Sequence, residues 1–87
     1  MNYVYVIYSA SEDRFYIGYT KDIKRRIAEH EAGRNHTTSR YAQRKVIFYE
    51  AFFTESDARR REEYFKTTKG RKALRIMLRD TLDNKSS

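Results

Sequence analysis

The chain reads as an α+β domain: a small three-stranded antiparallel sheet flanked by helices, in the order ββαβαα. Residues 3–8 and 15–20 are runs of β-branched and aromatic side chains separated by a polar turn, the pattern of a hairpin. Residues 45–53 form a third such run. Apolar residues then recur at helical spacing, with Leu74, Met77 and Leu78 at i, i+3 and i+4. Three short strands bury too little on their own, so helices have to cover at least one face of the sheet.

Gly18, inside the second strand, marks a bulge or a close backbone approach. A helix is predicted over about 21–32: Thr20 suits its N-cap, Asp22 the positive end of its dipole and Gly33 the position after its C-cap. Residues 34–44 form a polar and basic connection. Thr54 or Ser56 caps a second helix that runs to about Lys66, residues 67–70 break the pattern, and a last helix covers about 71–82. One domain over 1–82 is expected, with a disordered tail at 83–87.

At 87 residues the core is thin, and with no Cys neither disulfides nor thiolate metal sites can support it. Eight Tyr and five Phe supply buried area in their place. Lys and Arg outnumber Asp and Glu by 19 to 12, a net charge of +7 that favours a polyanionic partner, nucleic acid above all. No apolar run approaches the roughly 20 residues of a membrane span, and the first residues lack a basic-then-apolar signal pattern. The expected compartment is the cytoplasm.

The helical faces carry polar residues where apolar ones belong. On the first helix, an advance of about 100° per residue places Ile27 and His30 within about 40° of Ile23, Arg26 about 60° away, and Arg25 about 200° round, toward solvent. On the second, Phe65 and Glu62 fall within about 40° of Ala58, and Glu63 falls about 140° away. A buried carboxylate without a partner is costly or gives up its charge. Glu62 therefore calls for a metal ion or an arginine, and a simple pair with Arg26 is one such arrangement. Taken singly, each tyrosine is ordinary strand filler and His30 an ordinary core histidine. In combination, an Arg, a Glu and at least two Tyr are expected on one sheet face of a basic protein.

These residues resemble the GIY-YIG nuclease domain family, in particular its small stand-alone bacterial members, from about Tyr3 to Leu78. Tyr3-Val4-Tyr5 stands where the family has its first triplet, of which the Tyr is kept and the Gly is not. Tyr16-Ile17-Gly18 matches the second triplet fully. Residues 20–30 match the next motif, which puts the family's Arg on Arg26 and a following His on His30. Residues 31–40 resemble the short basic connection of the stand-alone group. Residues 58–74 match a later motif, which puts the metal-binding Glu on Glu62 and its accompanying Lys on Lys66. Many family nucleases carry an Asn a little over ten residues after that Glu. Here residues 74–77 are Leu, Arg, Ile and Met. The helical faces select Arg26 over Arg25 and Glu62 over Glu63 without reference to the family.

The resemblance implies a metal-dependent endonuclease that cleaves phosphodiester bonds in DNA, possessing one divalent ion on Glu62. Mg²⁺ or Mn²⁺ suits a lone carboxylate completed by water and phosphate oxygens. Arg26 would clamp the scissile phosphate with its permanently charged fork. Tyr16, with Tyr5 its closest competitor, would take the proton from the attacking water, and His30 would assist. A free phenol is a weak base near neutrality, so either tyrosine needs a cation beside it. Arg34, Arg40, Arg44 and Lys45 around the polar connection, with Lys66, Lys69, Arg71 and Lys72 downstream, can track a phosphate backbone. A chain this short has no separate sequence-reading domain, which favours shape recognition, as in repair or recombination, or a protein partner that supplies specificity. The alternatives are a nucleic-acid-binding module that keeps the fold without catalysis, motivated by the missing Asn, and a basic interaction domain that meets an acidic protein.

Overall fold

The computed structural model of the chain describes residues 1–33 and 44–83. Arg34 and Arg40, together with residues 84–87, lie outside the described residues. Three strands, β1 (Asn2–Ser9), β2 (Arg14–Thr20) and β3 (Arg44–Phe52), form one antiparallel sheet in the order β2-β1-β3. Among the described residues four helices accompany it: α1 (Ile23–Gly33), α2 (Glu55–Lys66), α3 (Thr68–Met77) and α4 (Arg79–Asp83). The expected ββαβαα order is observed, with a five-residue α4 added at its end. Among the described residues no helix is long and apolar enough to cross a membrane.

The strand alternation divides the sheet into two faces. Val4 and Val6 of β1 and Phe15 of β2 turn to one side, where they form the core with Ala58 and Phe65 of α2, Leu74 of α3 and Leu78. Tyr3 and Tyr5 turn to the other side, as do their hairpin partners Thr20 and Gly18. A bulge where β1 pairs with β3 places one extra residue, Ile47, on β3 opposite Val6 and Ile7; those two still alternate and are both buried, one on each face. The arginine of α1 that leans over Tyr5 sets that helix on the second face. The helices therefore cover both faces: α2 and α3 the valine face, α1 the tyrosine face.

Local chemistry sets the helix boundaries. Asp22, and not the expected Thr20, caps α1: its Oδ1 accepts from the Arg25 amide at 3.1 Å. Thr20 Oγ1 instead accepts from the Asp22 amide at 3.1 Å, a turn that delays the helix by two residues. Thr54 caps α2 by accepting from the Asp57 amide. The break expected over 67–70 is one residue wide. Thr67 accepts from the Gly70 amide at 3.0 Å and donates its hydroxyl to the Tyr64 carbonyl at 2.6 Å, so a single side chain ends α2 and begins α3. The last predicted helix is divided at Leu78, whose backbone leaves helical geometry (φ −111°, ψ 23°) while its side chain stays in the core.

The elbow between α2 and α3 depends on Gly70. A Cβ there would overlap the Tyr64 carbonyl oxygen and lie 2.7 Å from Phe65 Cα, both backbone atoms that cannot swing aside. Gly70→Ala should therefore destabilise the fold by about 3 kcal/mol. Urea unfolding should show this as a lower midpoint at an unchanged slope.

Candidate active site

Tyr5 lies across Gly18, its direct partner in the hairpin. A Cβ at Gly18 would overlap Cζ and Oη of Tyr5 and come within 2.8 Å of Cε2. The glycine therefore opens a seat for the phenol, which reaches over β2 toward the outer edge of the sheet. The close approach predicted from Gly18 is this contact. Gly18→Ala should displace the Tyr5 ring. The cost in stability should be only about 1–3 kcal/mol, because a flexible side chain can yield. A thermal melt and the Tyr5 ring signals in an NMR spectrum read the two effects separately.

Arg26 stands beside this seat, its guanidinium carbon 5.9 Å from the centroid of the Tyr5 ring. Its side chain is 41% exposed, against 76% for Arg25, as the helical phase predicts. Nη1 bonds Glu29 Oε1 at 3.0 Å. Nε is buried and has no hydrogen-bond partner among the described residues. Nε itself is occluded, as is that of Arg44, so it is the exposed part of the half-exposed guanidinium that can meet a phosphate oxygen.

Two residues from Gly18 on the same face of β2, Tyr16 belongs to a second cluster. Its hydroxyl donates to Glu12 Oε1 at 2.9 Å, and Arg44 Nη2 donates to Tyr16 Oη at 3.4 Å and to Glu12 Oε1 at 3.3 Å. The Arg44 guanidinium also lies 4.7 Å from the Tyr16 ring centroid, with Arg14 at 5.6 Å.

Glu62 comes from α2, on the opposite face of the sheet. Its side chain is only 12% exposed, whereas Glu63 is exposed. The carboxylate pairs with Arg59 through Oε1 at 3.3 Å and with Lys66 through Oε2 at 3.2 Å. Arg26 pairs with Glu29 instead, so the direct Arg26–Glu62 pair considered from the sequence is not formed. Arg59, Glu62 and Lys66 share one stripe of the helix. Arg59 stacks on Tyr19 of β2 at 3.8 Å, and Arg61 reaches the other way, to Glu50 of β3 at 2.9 Å. The Glu62 stripe therefore lies on the β2 side of α2. Tyr5 and Glu62 approach the β2 edge from opposite faces of the sheet, and do not share one face as expected from the sequence.

His30, one turn beyond Arg26, is half-buried. Burial holds its imidazole below the ordinary range, the Arg26 charge adds to this, and Glu29 opposes it. Its folded value lies below that of the unfolded chain, so the unfolded chain takes up the proton first as pH falls. His30 should thus lower stability progressively as pH falls from its ordinary value of 6.5 through the folded value, and have no effect above. Melting temperature against pH should fall less steeply below about 6.5 in His30→Gln than in the wild type.

The basic residues divide by what they touch. Arg71 donates to the carbonyls of Phe15 at 3.1 Å and Lys66 at 3.4 Å, a tie between α3 and β2. Lys69 and Lys72 are exposed on α3, and Lys45 is exposed on β3. Sequence reasoning missed Glu12 and Arg59. Glu12 precedes Tyr16 in a turn with no periodicity, and only the hairpin geometry joins them. Arg59 is one of three consecutive arginines, and its 3.6-residue phase with Glu62 was the available signal. Among the described residues no three His, Cys, Asp or Glu gather as a metal cage.

Residues 1–75 match the family described as the GIY-YIG catalytic domain. The chain belongs to the GIY-YIG family. A UPF0213 protein of Limosilactobacillus reuteri is 33% identical over 84 residues, covering 93% of this chain and 86% of the relative. A UPF0213 protein of Listeria innocua is 42% identical over 66 residues, covering 75% and 72%. The solution NMR structure of a UPF0213 protein from Bacillus halodurans superposes with a TM-score of 0.56 at 28% identity, covering 88% of this chain and 85% of that one. The GIY-YIG match spans both tyrosine strands, Arg26 and Glu62, and places the chain in a family of nuclease domains.

Proposed function

We propose that this GIY-YIG domain is a divalent-metal-dependent endonuclease that hydrolyses phosphodiester bonds in DNA, selecting branched or flapped structures of the kind met in repair and recombination. The observation that carries the reading is Arg26: a half-exposed guanidinium beside a phenol seated on the glycine of the second family triplet.

The donor set fits the ion. Glu62 offers a hard oxygen ligand sheltered at 12% exposure, and its two cation partners are half-exposed side chains at 3.2–3.3 Å that can swing away. A single carboxylate without a histidine or thiolate cage suits Mg²⁺ or Mn²⁺ over zinc. When bound, the ion supplies Lewis-acid stabilisation of the departing oxygen. The chain's own residues do the rest. Arg26 clamps the scissile phosphate with its half-exposed guanidinium. Tyr16 or Tyr5 accepts the proton of the attacking water, and the neutral imidazole of His30 holds that water. Lys45, Lys69 and Lys72, with Arg34 and Arg40, contact flanking phosphates. With Arg26 on the scissile phosphate these make about six contacts, which on duplex DNA give a salt slope of about −5 in log K against log salt.

One observation favours a second reading, a binding module without catalysis: both Glu62 oxygens are already paired, and the family Asn is missing from residues 74–77. Labelled branched, flapped and linear DNAs incubated with Mg²⁺ or Mn²⁺ distinguish the two. Metal-dependent cutting that Glu62→Ala and Arg26→Ala both lose supports the nuclease. Salt-sensitive binding with no cutting by any form leaves the binding module.

A further inference from the structure

We propose that Glu12 is the proton acceptor behind Tyr16, so that the two form a relay from the attacking water to the turn between β1 and β2. The inference rests on the nuclease reading and adds to it a residue outside the family motifs.

Tyr8 donates to Asp13 at 2.6 Å from the valine face, but of the two tyrosines proposed to take the proton of the water, Tyr16 and Tyr5, the geometry favours Tyr16. Tyr16 donates its hydroxyl to a carboxylate at 2.9 Å. Among the described residues the Tyr5 hydroxyl has no carboxylate partner. A phenol that already donates to a carboxylate keeps its oxygen lone pairs for a second donor. It can therefore take a proton from water as its own proton leaves, and it need not ionise beforehand. Tyr16 shares its face of β2 with Gly18, two residues along the strand or about 7 Å, which sets it next to the Tyr5 and Arg26 site.

The step balances. The water oxygen forms a bond to phosphorus while its proton passes to Tyr16 Oη. The Tyr16 hydroxyl proton passes to Glu12 Oε1. The bond from phosphorus to the leaving oxygen breaks, and that oxygen takes a proton from solvent. Glu12 is 44% exposed, so it returns its proton to solvent directly. Arg44 touches both the phenol oxygen and the carboxylate and stabilises whichever of them bears the negative charge. The groups that face Glu12 are the Tyr16 hydroxyl, the Ser9 hydroxyl and Arg44. The first of these is the main cause that holds its carboxyl below the ordinary range, so it is charged near neutrality and accepts only while the proton of the attacking water arrives at the phenol.

Glu12→Gln is the discriminating variant, because the amide oxygen still accepts the Tyr16 hydroxyl but cannot take its proton. A relay predicts that kcat on a cleaved DNA falls about 100-fold, that KM and melting temperature are unchanged, and that the acid limb of kcat against pH flattens. Tyr16→Phe should fall by a similar factor, and the double variant no further than Tyr16→Phe alone. Wild-type rates in Glu12→Gln, or losses that multiply in the double variant, overturn the relay while leaving the nuclease standing. Absence of metal-dependent cutting by the wild type overturns both.

Discussion

Glu62→Gln should reduce metal-dependent cutting by about 10³-fold, equivalent to roughly 4 kcal/mol of barrier, and leave DNA binding intact or slightly tighter. The substitution is nearly isosteric, so the sheltered position on α2 stays filled. What it removes is the negative charge of the carboxylate proposed to hold the metal. Binding should not weaken, because the cations on Glu62, Arg59 and Lys66, are released toward the polyanion. Stability should change little: the two cations that pair with the sheltered carboxylate are half-exposed and can turn to solvent, and such pairs within one helix contribute on the order of 0.5 kcal/mol. Single-turnover cleavage, binding at fixed salt and a thermal melt give the three readings. Loss of cutting through unfolding would show in the last.

Arg26 should have an effect of similar size with a different signature. Arg26→Ala should lower cutting about 10²- to 10³-fold and reduce the salt slope of binding by about 1. Arg26→Lys should recover less than tenfold of that loss. Lysine restores a point charge but not the planar fork, which can hold Glu29 through Nη1 and still present other donors to a phosphate. A lysine that restored full activity would mean that charge alone, and not a two-pronged contact, is what the position supplies.

Much of this was legible in the sequence because it rests on periodicity. The strand runs alternate, so the hairpin and the third strand could be placed to within a residue or two. Helical phase chose Arg26 over Arg25 and Glu62 over Glu63, and the exposures agree. Three features were not legible, each for a physical reason. Asp22 took the cap from Thr20 because a local turn, not a propensity, fixed where the helix began. Gly70 read as a helix breaker, but it lies inside the first turn of α3, where its missing side chain lets two helices cross. The placement of Tyr5 and Glu62 on opposite faces depends on how α1 and α2 pass the sheet, which phase within a single helix does not encode. Glu12 was hidden for the same reason: a turn residue has no period, and its bond to Tyr16 exists only once the hairpin is paired in register.

The open guanidinium of Arg26 and the glycine seat under Tyr5 gain their meaning from the β2 edge, where the phenol and the Glu62 stripe approach from the two sides. That edge is the central claim, and Mn²⁺ titrated into isotope-labelled protein and followed by NMR tests it most directly. The account predicts paramagnetic broadening confined to the neighbourhood of Glu62 and the adjoining stretch of β2, with the Tyr5 ring affected and the effect abolished in Glu62→Gln. Broadening centred elsewhere, for example on the acidic residues of the β1–β2 turn, or broadening that persists unchanged in Glu62→Gln, would contradict it.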